Sequence, residues 1–164
     1  GQRYTDPFRN VAAIMINSTY RNKKIYIYGD GKQKRSFSDI TDCVRALGHM
    51  VESDRNLNKQ VYNIGPDNNE ITINHLAEYV SMLTDESPEL IFVPDRPREV
   101  KNAYCSSNKI KKEFNYNANI TINVTLSNMI EWVKKRGSKN FDYHLPIEIT
   151  NKQELPQTWK DQLF

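Results

Sequence analysis

The chain has 164 residues, 38% of them hydrophobic and 26% charged, enough for one domain with a single core and too apolar for compositional disorder. Twenty-three Lys and Arg against 20 Asp and Glu leave a formal charge of +3, too small an excess to imply nucleic acid without a concentrated patch. No apolar run approaches the roughly 18–20 residues that span a bilayer, and the opening residues show no signal-peptide pattern.

In chain order, "GQRYTDPFRN" reads as loop and leads into "VAAIMINSTYR", residues 11–21, whose apolar positions 11, 14, 15 and 16 predict a helix packed on one side. "KIYIYG" predicts a short strand ended by Gly29. "DITDCVRALGHMVE" predicts a helix starting at Asp39, with Ile40, Val44, Leu47 and Val51 on one face. "KQVYNIGPD" reads as a second strand stopping at Gly65-Pro66.

"ITINHLAEYVSMLT" places Thr72 at the N-cap of a helix with a Leu76, Tyr79, Val80 and Leu83 stripe. "PELIFVP" predicts a third strand. "SSNKIKKEFNY" is a short helix capped by Ser106 or Ser107. "TLSNMIEWVKKRG" is a last helix, capped at Thr125 or Ser127 and closed by Gly137. Short strands alternating with helices predict an α/β domain over residues 1–137 with a peripheral extension over 138–164.

Catalytic constellations do not emerge from pattern. His49, His75 and His144 are scattered, so no metal site is expected. Cys43 and Cys105 lack metal spacing and read as free, partly buried thiols of a cytoplasmic protein. The Asn17, Asn119 and Asn123 tripeptides fit the glycosylation pattern by chance in an Asn-rich chain. There is no G-x-S-x-G, no P-loop, no dinucleotide fingerprint and no Tyr-x-x-x-Lys pair, and the Gly29-Asp30-Gly31 turn lacks a third glycine and a following helix.

Two arginine loops remain. Arg35 follows the glycine turn, and Arg96 and Arg98 leave the third strand in "PDRPREVKNAY". Guanidinium groups suit phosphate, because they donate paired hydrogen bonds and keep their charge away from water. The plainer alternative is two solvated turns, with Glu99 pairing locally and Tyr26 and Tyr28 packing across a sheet.

Taken together, "DPFRNVAAIMINSTYRNKKIYIYGDGKQKRSFSDITDCVRAL", "KQVYNIGPDNNEITINHLAEYV" and "VPDRPREVKNAYCSSNKIKKEF" resemble successive signatures from the C-terminal half of the extended short-chain dehydrogenase/reductases. "DPFRNV" and the closing "IEIT…LPQTW" are most similar to the UDP-glucose 4-epimerase-like branch. The resemblance implies that Arg35 and Arg96 contact a nucleotide pyrophosphate and that Glu99 lies near the ribose. It further implies that Tyr26 and Tyr28 lie at the uracil and that Asn10, at a helix start, helps with the pyrophosphate. Ser36 and Asp39 depart from residues common in the family, where Asp or Ala and Tyr stand.

On this resemblance the chain is a substrate-binding portion, and the NAD fingerprint and the catalytic Tyr-x-x-x-Lys belong to an N-terminal Rossmann domain absent from it. The chain would then be a truncated piece, a proteolytic fragment or a split gene product. The implied reaction is hydride transfer from a UDP-sugar C4 to NAD and back to the other face. The parent enzyme is expected to be a homodimer and the fragment a monomer, with neither nucleic acid nor membrane as partner. UDP-glucuronate decarboxylase and nucleotide-sugar 4,6-dehydratase are the near alternatives. A basic binding module using Lys32–Arg35 and Lys109–Lys112 is the alternative from another class.

Overall fold

A computed structural model describes residues 3–67, 70–144 and 154–164 of the chain. Helix α1 (Val11–Asn22) buries Ala12, Ala13, Met15 and Ile16, and the two alanines let it sit close to its neighbours. It stops where Lys23 turns left-handed (φ 55°) and returns its N–H to the Ser18 carbonyl. Strand β1 (Lys24–Tyr28) then alternates: Ile25 and Ile27 are buried in the core, while Tyr26 and Tyr28 are half-buried on the other face.

Three elements follow: β2 (Lys34–Ser36), α2 (Ile40–Val51) and β3 (Glu70–Thr72). Helix α3 (Ile73–Thr84) continues from β3 and leads into β4 (Glu89–Val93). The chain goes on through β5 (Asn102–Ala103), α4 (Asn108–Phe114) and α5 (Ile122–Arg136), and α6 (Gln157–Lys160) lies near its end. β1 and β4 pair in parallel, with Lys24 opposite Glu89 and Tyr28 opposite Val93. β2 is the centre of a three-stranded sheet, antiparallel to β3 and parallel to β5. The arrangement is α/β, with α1, α3 and α5 packed on one another and on β1 around Ile16, Leu76, Val80, Leu126 and Ile130.

Thr72 caps α3 by accepting from the His75 N–H, as its sequence predicts. Four expectations change. Residues 60–64 form no strand, because among the described residues no other strand runs beside them. Tyr62 instead packs edge-on against Phe114, and Ile64 joins the small core of Ala46, Ile110 and Tyr116. Helix α5 begins a turn early, with Thr121 rather than Thr125 or Ser127 at its N-cap, because Thr125 is engaged by Asp39. Ser107 precedes α4 but aims its hydroxyl at Asp67 instead of capping the helix.

The fourth change concerns α2. Its apolar stripe does share one face, but that face is exposed: Ile40 is 71% and Val51 85% accessible. The inner side packs Ala46 into the small core and is otherwise held by polar groups. Asp39 accepts from the Thr41 N–H (2.8 Å) and the Thr125 hydroxyl (2.7 Å), and buried Asp42 accepts from the Asn119 and Ile120 N–H groups (3.0 Å each).

Asn17 is buried inside α1 and its amide pairs with both backbone groups of Lys139, which leaves no room for a glycan. The "IEIT" stretch, 147–150, lies outside the described residues. Among the described residues no helix is long and apolar enough to cross a membrane.

Burial raises the Asp39 carboxyl, but the bonds from Thr125 and Thr41 outweigh it and hold the group below the ordinary carboxylate value. Asp39→Ala should therefore lower the unfolding free energy by about 1–2 kcal/mol in urea titrations at neutral pH. Because the folded value is the lower one, this contribution is complete above the ordinary carboxylate range and fades as pH falls through the depressed value. A wild-type-to-variant gap that persists unchanged under strong acid contradicts this.

Candidate functional site

The turn after β1 builds the first wall. Gly29 and Gly31 hold φ of 59° and 70°, and a Cβ at either would collide with the Asp95 carboxylate or the Asn74 amide. Asn74, in the first turn of α3, donates its side-chain N–H to the Asp30 carbonyl (2.9 Å) and its backbone N–H to the Gly31 carbonyl (3.1 Å). Gln33 donates to the Tyr28 carbonyl at 3.1 Å. The chain is thereby folded back so that Arg35, in β2, stands beside the end of β1.

The loop after β4 supplies the facing wall. Glu99 closes a turn on the Arg96 carbonyl (3.2 Å) and leaves only 9% of its side chain exposed. Arg35 donates Nη2 to Glu99 Oε1, while the Arg96 Nε stands 3.7 Å from Glu99 Oε2. A nearly buried carboxylate thus holds two guanidinium groups from different elements, which balances its desolvation.

A cavity of about 250 Å³ opens between these walls and the start of α1. All six residues that the sequence places in a site line it: Asn10, Tyr26, Tyr28, Arg35, Arg96 and Glu99. Asn10 is left-handed (φ 67°) and makes no side-chain cap bond, so the first N–H groups of α1 lack a side-chain acceptor. Arg9 also lines the cavity, and its charge is engaged by buried Asp6 at 3.1 Å.

The tail adds residues that carry no expected site role, although Thr158 and Trp159 end the "LPQTW" stretch that carries the resemblance. Thr158, Trp159 and Phe164 line the cavity, so the stretch expected as a peripheral extension returns across its mouth. Phe164 meets Tyr26 edge-on at 5.6 Å, and the Thr158 hydroxyl is 2.5 Å from that of Tyr28. Burial pushes the Tyr28 hydroxyl above its ordinary value, against the opposing effects of Thr158 and the Arg96 charge. The available signals were the "LPQTW" match and the aromatic residues of the tail, Phe141, Tyr143, Trp159 and Phe164.

None of the three histidines lines the cavity, and among the described residues no group of three or more His, Cys, Asp or Glu is placed to hold a metal. Cys43 and Cys105 are free and half-buried. In each basic cluster one lysine is paired with an acidic residue, Lys32 with Asp30 at 3.5 Å and Lys111 with Asp67 at 2.5 Å. What the arrangement offers is a positive, aromatic-walled cavity at a helix start, suited to an anion attached to a planar ring.

The fold is that of the extended short-chain dehydrogenase/reductases. It matches the UDP-glucose 4-epimerase of Thermotoga maritima solved with UDP-glucose at TM-score 0.72 and 25% identity, over 80% of this chain and 42% of that one. It also matches the UDP-glucuronic acid 4-epimerase of Bacillus cereus, at TM-score 0.73 and 23% identity, over 78% and 40%. The chain belongs to the GDP-mannose 4,6 dehydratase family, whose sequence model matches residues 2–129.

Relatives include a UDP-N-acetyl-alpha-D-glucosaminuronate decarboxylase of Bacillus cytotoxicus, 27% identical over 82% of this chain and 43% of the relative. A UDP-glucuronate 4-epimerase of Thermodesulfobacterium geofontis is 29% identical over 73% of this chain and 36% of the relative. The chain therefore spans less than half the length of these relatives.

Glu99 and its arginines should behave as a unit. Glu99→Leu alone is expected to cost roughly 2–3 kcal/mol of stability in urea unfolding, because two guanidinium groups lose their counter-charge. Glu99→Leu with Arg35→Met should cost clearly less than the sum of the single changes. Strict additivity contradicts the unit.

Proposed function

We propose that this chain is the nucleotide-sugar-binding portion of an NAD-dependent UDP-sugar 4-epimerase, and that its cavity holds the UDP end of the substrate. The observation that carries the reading is the convergence of Arg35 and Arg96 on one aromatic-walled cavity at the start of α1. Each guanidinium donates in a fixed plane and stays charged where water is scarce, which suits the bridging and terminal oxygens of a diphosphate. Asn10 and the first N–H groups of α1 add the positive end of the helix dipole.

In this reading Tyr26 and Tyr28 face the uracil, and Glu99 accepts from a ribose hydroxyl while keeping the two arginines in register. Binding at the UDP end then serves the sugar. Interactions remote from the reacting carbon hold it in place and so contribute to rate as well as to affinity. The Thermotoga maritima enzyme, solved with UDP-glucose, and the Thermodesulfobacterium geofontis 4-epimerase support this choice of substrate and reaction.

In this reading NAD is held by another part of the enzyme. A pyrophosphate cradle for a dinucleotide needs a glycine turn that opens a helix, whereas Gly29-Asp30-Gly31 opens strand β2. No residue of this chain is given a part in hydride transfer. The outward stripe of α2, together with Val61 (78% exposed) on the unpaired 60–64 segment, is the face that the NAD-binding part covers. A second reading, a UDP-uronate decarboxylase, is favoured by the Bacillus cytotoxicus relative, and a product assay on the full-length enzyme separates the two.

UDP titrated calorimetrically into the chain should bind, and Arg35→Ala and Arg96→Ala should each weaken it by roughly ten- to a hundredfold. Unchanged affinity in both variants contradicts the reading. The chain by itself should leave UDP-glucose unconverted, and turnover by the purified protein would overturn the assignment of chemistry to another part.

A further inference from the structure

Arg96 emerges from the loop after β4 with 39% of its side chain exposed, and the ion pair it makes among the described residues, Nε to Glu99, is loose at 3.7 Å. Its direction must come from something else. The guanidinium carbon lies 5.5 Å from the centre of the Tyr28 ring and 5.3 Å from that of Trp159. Both rings are themselves fixed. The Trp159 indole N–H donates to the Pro7 carbonyl (3.1 Å), and Phe8 meets the indole edge-on at 5.3 Å. The Tyr28 hydroxyl is bound by the hydroxyl (2.5 Å) and backbone N–H (3.2 Å) of buried Thr158, the residue before Trp159.

We propose that Trp159 is a positioning residue of the nucleotide site: with Tyr28 it holds the Arg96 guanidinium by cation–π contact and so directs its N–H groups at the phosphates. The proposal rests on the reading that the cavity holds UDP. Its physical basis is a division of labour within one planar group. Cation–π contact needs only the charge of the guanidinium near the rings, while phosphate binding uses its N–H groups, so the two do not compete. An arginine free in solvent also loses rotamer freedom when it closes on an anion, and one already held against the rings has less to lose. The tail is thereby part of the binding site, and α6, a single turn, exists to seat Thr158 and Trp159 side by side.

The test is a set of UDP titrations on the full chain. Trp159→Leu should weaken UDP binding roughly five- to tenfold, and Trp159→Phe, which keeps an aromatic face, should recover most of that loss. In an Arg96→Ala background Trp159→Leu should have no further effect, whereas in an Arg35→Ala background it should retain its full factor. An equal effect in both backgrounds would make the indole a packing residue and overturn the proposal, as would wild-type affinity in Trp159→Leu.

A second measurement needs no ligand. In proton spectra of the free chain, the Arg96 δ-methylene signals should be displaced by ring current and return toward ordinary positions in Trp159→Leu. Undisplaced signals in the wild type overturn the cation–π contact even if UDP binds. Displaced signals in a chain that does not bind UDP uphold the contact and overturn the nucleotide reading instead.

Discussion

Glu99 is the point on which the site depends. A carboxylate this far removed from water is tenable only if cations meet it, and the two that do arrive from opposite sides of the cavity. Arg35 comes from β2, which follows the Gly29–Gly31 turn and pairs with β3 and β5. Arg96 comes from the loop that leaves β4, the parallel partner of β1. The Glu99 carboxylate thus links the two sheets through side chains, and in doing so it sets the spacing of two guanidinium groups. A ligand with two adjacent anionic groups meets donors that are already gathered.

The opposite side of the molecule obeys a different constraint. Helix α2 turns Ala46 and two carboxylates inward, Asp42 from within the helix and Asp39 from its N-cap, while Ile40, Val44, Leu47 and Val51 face outward. The inner carboxylates are satisfied: Asp39 and Asp42 bind backbone and hydroxyl donors that tie α2 to α5 and to the segment before it. The outer aliphatic face is unsatisfied, and segment 60–64 beside the small core has the composition of a strand without a neighbour. Both features leave apolar side chains facing outward on the same part of the described chain.

Local periodicity was a good guide wherever an element's partners lie within the chain. α1, α3 and β1 follow their apolar patterns, because each packs in the core, whereas β4 forms as a strand on β1 with Leu90 and Phe92 left exposed. For α2 the pattern correctly grouped Ile40, Val44, Leu47 and Val51 on a face but held no information on which way it points. For residues 60–64 a sequence reads as strand from composition, whereas a strand requires a second chain segment to bond with. The six site residues could not be paired by pattern, since Arg35 and Arg96 lie far apart in sequence and loop arginines are common. Resemblance to a family placed them together, and in the fold they line one cavity. Trp159 belongs to the "LPQTW" match but carries no site role in it, and Phe164 is not singled out by pattern, because their place at the cavity arises from where the tail returns in space, which no local rule encodes.

The central claim is that the two arginines serve a diphosphate carried by a nucleoside. Titrating the full chain with UDP, UMP and uridine under one buffer tests it most directly. The account predicts that affinity rises steeply with phosphate count, with UDP well above UMP and uridine weakest, and that the gap narrows as salt is added. Equal affinities for UDP and uridine, or no binding of any of the three, would contradict it.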